Sequence, residues 1–162
     1  MEIERKFQIL ELPHNLEQYA KKEIKQGYLC RGPIVRIRKS NDHYYMTYKN
    51  KKGISQEHAI QSEEIEMDLT EEAFLHLAKK IDGNMIEKTR YLIPFNEKLT
   101  IELDVFKGSL QGLYFAEVEF SSEAEAKVFM KPEWFGEEVS FDKRYRNSYL
   151  SQVESFDDLR IQ

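Results

Sequence analysis

Charged side chains recur two residues apart along this chain, and each pair carries one sign. Glu2 and Glu4 precede Lys6, Arg36 pairs with Arg38, and Thr47 stands before Lys49. Glu64 pairs with Glu66, Lys88 with Arg90, Glu102 with Asp104, and Glu117 with Glu119, while Arg144 follows in "DKRYRNSYL". Gathered in one cavity, the carboxylates would bind a hard divalent cation such as Mg²⁺ or Mn²⁺ through oxygen. The arginines and lysines would bind phosphate oxygens, arginine as a two-pronged fork and lysine as a point charge. Acids and bases together suit a metal-bound polyphosphate. Phosphoryl transfer needs such positioning and charge neutralisation more than covalent help.

Other chemistries lack their residues. The chain has no G-x-x-x-x-G-K-[ST] loop, no G-x-G-x-x-G and no H-E-x-x-H. His14, His43, His58 and His76 are scattered, and the single Cys30 excludes an internal disulfide or a multi-thiolate metal site. No Ser–His–Asp arrangement is legible.

Strands are the elements that would position these pairs, because side chains two residues apart share one face. In "MEIERKF" the charges at 2, 4 and 6 oppose Ile3 and Phe7. In "VRIRK" the arginines oppose Val35 and Ile37, in "IELDVF" the acids oppose Leu103 and Val105, and in "AEVEF" they oppose Val118 and Phe120. Alternation predicts strands over Met1–Ile9, Ile24–Cys30, Ile34–Arg38, Tyr44–Lys49, Ala59–Leu69, Met85–Pro94, Leu99–Lys107 and Leu113–Phe120. Hairpin turns are expected at Ser40–Asp42, Asn50–Gly53 and Asn96–Lys98. One helix is expected from a Thr70 cap towards Gly83, with Phe74, Leu77, Ala78 and Ile81 on one face. A second is expected from Ser121 or Ser122 to before Pro132, with shorter ones at Asn15–Lys22 and at the C-terminus.

Two arrangements satisfy this pattern. An open sheet could pack its apolar face on helices and wet its charged face. Alternatively the sheet curls, with apolar faces outward and charged faces lining a tunnel. Like charges on one strand repel, and a sheet built for stability alone would mix signs. The tunnel reading explains why eight acids (the four pairs above) face seven bases (Lys6, Arg36, Arg38, Lys49, Lys88, Arg90 and Arg144).

The 162 residues, with 7 Gly, 4 Pro and no low-complexity linker, predict a single domain over 1–162. With 24 basic and 29 acidic side chains the net charge is -5, which gives no reason to expect nucleic acid. No apolar run approaches the roughly 20 residues that span a bilayer. The first charged pattern begins within two residues of Met1, leaving no room for a signal peptide. A cytoplasmic protein with no membrane partner is expected, with a second copy of the chain as a candidate partner.

The ordered set of motifs resembles the CYTH, or triphosphate tunnel metalloenzyme, superfamily. The resemblance runs from E-x-E-x-K (Glu2, Glu4, Lys6) through "QGYL" (Gln26–Leu29), R-x-R, T-x-K and E-x-E. It continues through "EKTRY", "ELD" and "EVEF" to "WFGEEVS" and "DKRYRNSYL", so it covers essentially the whole chain. It is most similar to the short bacterial members that hydrolyse inorganic triphosphate to diphosphate and phosphate. It implies an α+β, mainly β fold: an eight-stranded antiparallel β-barrel forming a tunnel, with helices packed outside.

By the same resemblance Glu2, Glu4, Glu117 and Glu119 help to hold the metal, and Glu64, Glu66, Glu102 and Asp104 complete the acidic side. Lys6, Arg36, Arg38, Lys49, Lys88, Arg90 and Arg144 bind the triphosphate. Lys49 and Lys88 are candidates for orienting water, a lysine base requiring a lowered pKa. Tyr28 is either a group that orders the nucleophilic water or an aromatic plug. Trp134 and Phe135 are expected to pack the barrel. Ser62 stands where the family often carries an inward arginine, and a register shift there would exchange Ser62 with Glu66. Three other functions share these residues: a class IV adenylyl cyclase forming cyclic AMP from ATP, a thiamine triphosphatase, and a non-catalytic module that binds polyphosphate or nucleotide.

Overall fold

The structure, a computed structural model, describes residues 2–54 and 60–161. Its strands are β1 (Glu2–Ile9), β2 (Ala20–Arg31), β3 (Ile34–Ser40), β4 (His43–Ile54), β5 (Ile60–Asp68), β6 (Ile86–Pro94), β7 (Thr100–Phe106), β8 (Tyr114–Phe120) and β9 (Phe135–Glu138). All pair antiparallel in the order β5-β4-β3-β2-β6-β7-β8-β1-β9. β5 also returns to β1 through Glu2↔Ser62, Ile3↔Gln61 and Glu4↔Ile60. The first eight strands thus come back on themselves over a short seam. The rest of that edge of β1 is taken by β9.

The ninth strand departs from the eight expected. It lies in "WFGEEVS", and four residues are too few to show a period of two. Two further expectations fail for reasons of pairing. Asn50–Gly53 is not a turn: β4 runs on to Ile54, with an irregularity between Lys51 and Gly53 where the glycine permits a bulge. Asn15–Lys22 is not a helix. Only Leu16–Gln18 make a 3-10 turn, because Ala20–Glu23 pair with Leu92–Thr89 of β6. The other two turns hold, and Asn96 Oδ1 accepts from the backbone of Lys98 and Leu99.

Helices α1 (Glu71–Ala78), α2 (Glu123–Val128) and α3 (Asn147–Leu150) are short. Thr70 and Ser122 cap the first two, accepting from Ala73 N at 3.0 Å and Glu125 N at 3.1 Å. Helix α1 stops before Gly83, where φ is +94° and the missing Cβ leaves room for Arg31 Nη2 and the Ser151 carbonyl.

The outward strand faces build one core, where Phe7, Ile101, Leu103, Val118 and Phe120 meet Phe135 and Ala126. Phe7 and Phe135 rings lie 5.0 Å apart, and Trp134 packs against the same cluster. A second core holds inward positions. Phe106, Phe115 and Ile86 share strand faces with Asp104, Glu117 and Lys88, yet pack with Tyr28 on Tyr145, Leu150 and Leu159. The inward face is therefore apolar at one end, where the C-terminal segment fills it, and charged along the remainder.

Candidate active site

A cavity of about 250 Å³ occupies the charged part of the interior. Glu2, Glu4 and Lys6 reach it from β1, Tyr28 from β2, Arg36 and Arg38 from β3, and Tyr45 and Lys49 from β4. Glu64 and Glu66 reach it from β5, Arg90 from β6, Glu102 from β7, and Glu117 and Glu119 from β8. The two-residue spacing does this work: on each strand the charged members face inward together. Glu64 pairs with Lys49 and Glu66 with Thr47, so β5 turns both glutamates into the cavity. The Ser62 side chain lies outside the described residues.

The acids surround a lysine. Lys49 Nζ lies 2.5 Å from Glu2 and 4.0 Å from both Glu4 and Glu64. Burial alone would lower its pKa, but Glu4 and Glu2 outweigh that and hold the ammonium well above its ordinary range. Lys49 therefore does not have the lowered pKa that a base requires; carboxylates, not cations, are its neighbours. Burial, then repulsion from Glu117, pushes the Glu4 carboxyl up to about 8. Glu117 resists its own burial because Lys6, Arg90 and Lys88 attract it and Glu4 is hydrogen-bonded to it, so its pKa falls well below the usual range. Glu119 is raised by partial burial and by Glu2, Glu102 and Glu64.

The β3 wall carries two cations, Arg36 and Arg38. Among the described residues no carboxylate lies within ion-pair distance of Arg36 or Arg38. Arg36 Nη2 donates to Thr47 Oγ1 at 3.1 Å, and its buried Nε has no partner among those residues. Burial and repulsion from Arg36 and Arg90 lower the pKa of the Arg38 guanidinium. Lys6 Nζ donates to the Tyr145 carbonyl at 2.6 Å and stands 3.7 Å from Glu117.

Three expected members sit elsewhere. Asp104 is fully buried behind the cavity wall, accepting from Arg90 Nε at 2.7 Å, Arg90 Nη2 at 2.9 Å and Lys88 Nζ at 2.6 Å. That makes it the counter-ion of two cations, not a group open to a metal. Lys88 is equally enclosed, and its Nζ also meets Asn147 Oδ1 at 3.1 Å. Burial pushes its ammonium from 10.5 down to about 7 despite Asp104, and Lys88 lies behind Asn147, which lines the cavity while Lys88 does not. Arg144 points outward, binding Asp142 at 2.6 Å and the Arg160 carbonyl at 3.1 Å. Tyr28 belongs to both descriptions: it lines the cavity and is buried in the second core.

Arg146, Asp142, Ser140, Asn147 and Ser148 line the cavity unforeseen, as does Lys22. The first five come from the C-terminal segment, where Lys143–Tyr145 form a 3-10 turn before α3. Three residues per turn put Arg144 and Arg146 on different sides, so the strand rule misleads there. Arg146 takes the inner side, and its buried Nε has no partner among the described residues. A second arginine two residues after Arg144 was the available signal.

The donor chemistry fits a hard divalent cation. Hard carboxylate oxygens predominate on one wall, and Glu4 and Glu119 are raised by burial first and then by neighbouring carboxylates, a repulsion that a cation would relieve. Among the described residues no three acids are already gathered as around an ion, and Lys49 stands between Glu2, Glu4 and Glu64.

Comparison with known proteins agrees with this geometry. The CYTH domain matches residues 1–156. The inorganic triphosphatase of Nitrosomonas europaea is 41% identical over 153 residues, 93% of this chain and 96% of that protein. The inorganic triphosphatase of Acetivibrio thermocellus is 40% identical over 130 residues, 78% of each chain. The crystal structure of the inorganic triphosphatase NE1496 superposes with a TM-score of 0.69 at 36% identity, covering 96% of this chain and 97% of the other. On the match to nearly its whole length and the identity to these relatives, the chain belongs to the CYTH-domain family.

Proposed function

We propose that this protein hydrolyses inorganic triphosphate to diphosphate and phosphate with the help of a divalent cation, Mg²⁺ or Mn²⁺. The single observation that carries the reading is the segregated wall charge: Arg36 and Arg38, with no acid partner among the described residues, share one small cavity with a cluster of glutamates. Its relatives named inorganic triphosphatase support it.

Arg36, Arg38, Lys6 and Arg146 take the phosphate oxygens and orient the chain of phosphates. Glu2, Glu4, Glu64 and Glu119 would hold the cation, with Glu66, Glu102 and Glu117 beside them. When bound, such an ion withdraws charge from the phosphate oxygens and helps to generate a nucleophile from water. The water oxygen adds to a terminal phosphorus, the anhydride bond breaks, diphosphate leaves with the electron pair, and the water's proton passes to the released phosphate or to solvent. The arginines stabilise charge building on the oxygens, an effect on the order of 10²–10³ in rate for one well-placed donor. Lys49, held charged by its glutamates, contributes as a cation and accepts no proton. The functional unit is the single domain, working in the cytoplasm, where the free thiol of Cys30 persists.

The test is a panel of inorganic triphosphate, ATP and thiamine triphosphate, each with Mg²⁺ and Mn²⁺, with phosphate, diphosphate and cyclic AMP measured separately. Fastest phosphate release from inorganic triphosphate is expected. Cyclic AMP as the main product from ATP would make the protein a cyclase, and binding without turnover would make it a non-catalytic module.

A further inference from the structure

Arg38 and Arg90 are both buried and both face the cavity, yet the protein holds them in opposite ways. Arg90 is clasped by carboxylates: Asp104 takes Nε and Nη2, and Glu102 stands 3.3 Å from Nη1. Much of its charge is cancelled inside the protein. Arg38 is clasped by neutral groups. Its Nε donates to Gln26 Oε1 at 2.7 Å, and its Nη1 donates to the Tyr45 hydroxyl at 3.2 Å. Nη2 makes no bond among the described residues.

Gln26 has no exposed surface and is not part of the cavity wall. A guanidinium only donates, so the amide must present its oxygen to Arg38. Gln26 Nε2 is then left buried without an acceptor among the described residues. An unmet buried donor is unfavourable, and an apolar residue of similar size would avoid it. A carboxylate there would form an ion pair with Arg38. Neither stands at this position.

We propose that Gln26 is a positioning residue that fixes Arg38 towards the triphosphate while leaving its positive charge uncancelled. Neutrality, and not shape alone, is what the site requires of it. The inference rests on the reading of the cavity as a triphosphate site.

The experiment compares wild type with Gln26→Glu, Gln26→Met and Arg38→Ala. Binding of inorganic triphosphate is measured without metal by calorimetry across a salt series, and each variant's melting temperature is recorded. Gln26→Glu is expected to melt no lower than Gln26→Met yet to bind triphosphate at least about fivefold more weakly. Its salt dependence should shrink towards that of Arg38→Ala, because a cation has been neutralised. A Gln26→Glu to Gln26→Met ratio of Kd values below that mark, or affinity losses that merely follow melting temperature, would overturn the inference. If Gln26→Glu does not fold, Gln26→Met decides: weaker binding with the wild-type salt dependence supports a positioning role, and unchanged affinity and turnover refute it. Arg38→Ala separates the two levels. Should it bind triphosphate like wild type, the triphosphate site itself is misplaced; should it lose binding while Gln26→Glu does not, only the role of Gln26 falls.

Discussion

Replacing Asp104 by Asn tests whether this carboxylate is a counter-ion or a metal ligand. The side chain is fully buried and takes both prongs of Arg90 as well as the Lys88 ammonium. Asn keeps the volume, so no cavity opens, but two buried cations lose their common anion. Removing one partner of a buried charge pair costs about 3–5 kcal/mol. For a domain of this size each kcal/mol moves the midpoint by roughly 2–4 °C, so the melting temperature should fall by on the order of 10 °C. Thermal unfolding followed by circular dichroism, with and without Mg²⁺, reads this directly. The half-saturating Mg²⁺ concentration of the folded variant, assayed well below its midpoint, should stay close to wild type. A midpoint within about 2 °C of wild type, together with a large rise in the Mg²⁺ requirement, would refute the counter-ion role.

Arg146→Ala should raise KM for triphosphate about tenfold or more, whereas Arg144→Ala should change it less than about threefold, since only Arg146 faces the cavity; steady-state phosphate release measures both. The Lys88 ammonium, at about 7 in the folded protein, lies below its unfolded value of about 10.4. The unfolded chain therefore binds more protons between these values, and this group's contribution to stability grows as pH rises through that window. Lys88→Met should remove that part of the rise, seen as a flatter profile of melting temperature against pH from about 7 to about 10.

Strand periodicity made most of the cavity legible. Glu2, Glu4, Arg36, Arg38, Glu64 and Glu119 lie on unbroken alternating runs, and their common face is fixed by covalent geometry once the strand forms. The same rule placed Asp104 and Lys88 on the inner face but could not say how deep they sit. Depth depends on where the C-terminal segment fills the interior, which is decided by Tyr145, Leu150 and Leu159 meeting Phe106 and Phe115. Those contacts join residues far apart in sequence and leave no local period. The strand rule favoured Arg144 and passed over Arg146 because a 3-10 turn replaces that rule there. The environment of Lys49 was likewise invisible: its glutamates come from β1 and β5, and only the return of β5 to β1 brings them together.

Glu4 and Arg38 allow function to be separated from stability. Burial and repulsion from Glu117 push the Glu4 carboxyl up to about 8 in the metal-free protein, so a neutral Gln of the same size suits that position. Arg38 has no acid partner among the described residues, and its removal relieves repulsion from Arg36 and Arg90. Losing Arg38 also costs its bonds to Gln26 and Tyr45, so the double variant Glu4→Gln, Arg38→Ala should melt lower than wild type yet keep a wild-type far-ultraviolet spectrum at the assay temperature. The decisive measurement is its rate of phosphate release from inorganic triphosphate with saturating Mg²⁺. Loss of at least about 10³-fold in a folded protein is the expected result. Wild-type turnover would show that the chemistry takes place outside this cavity.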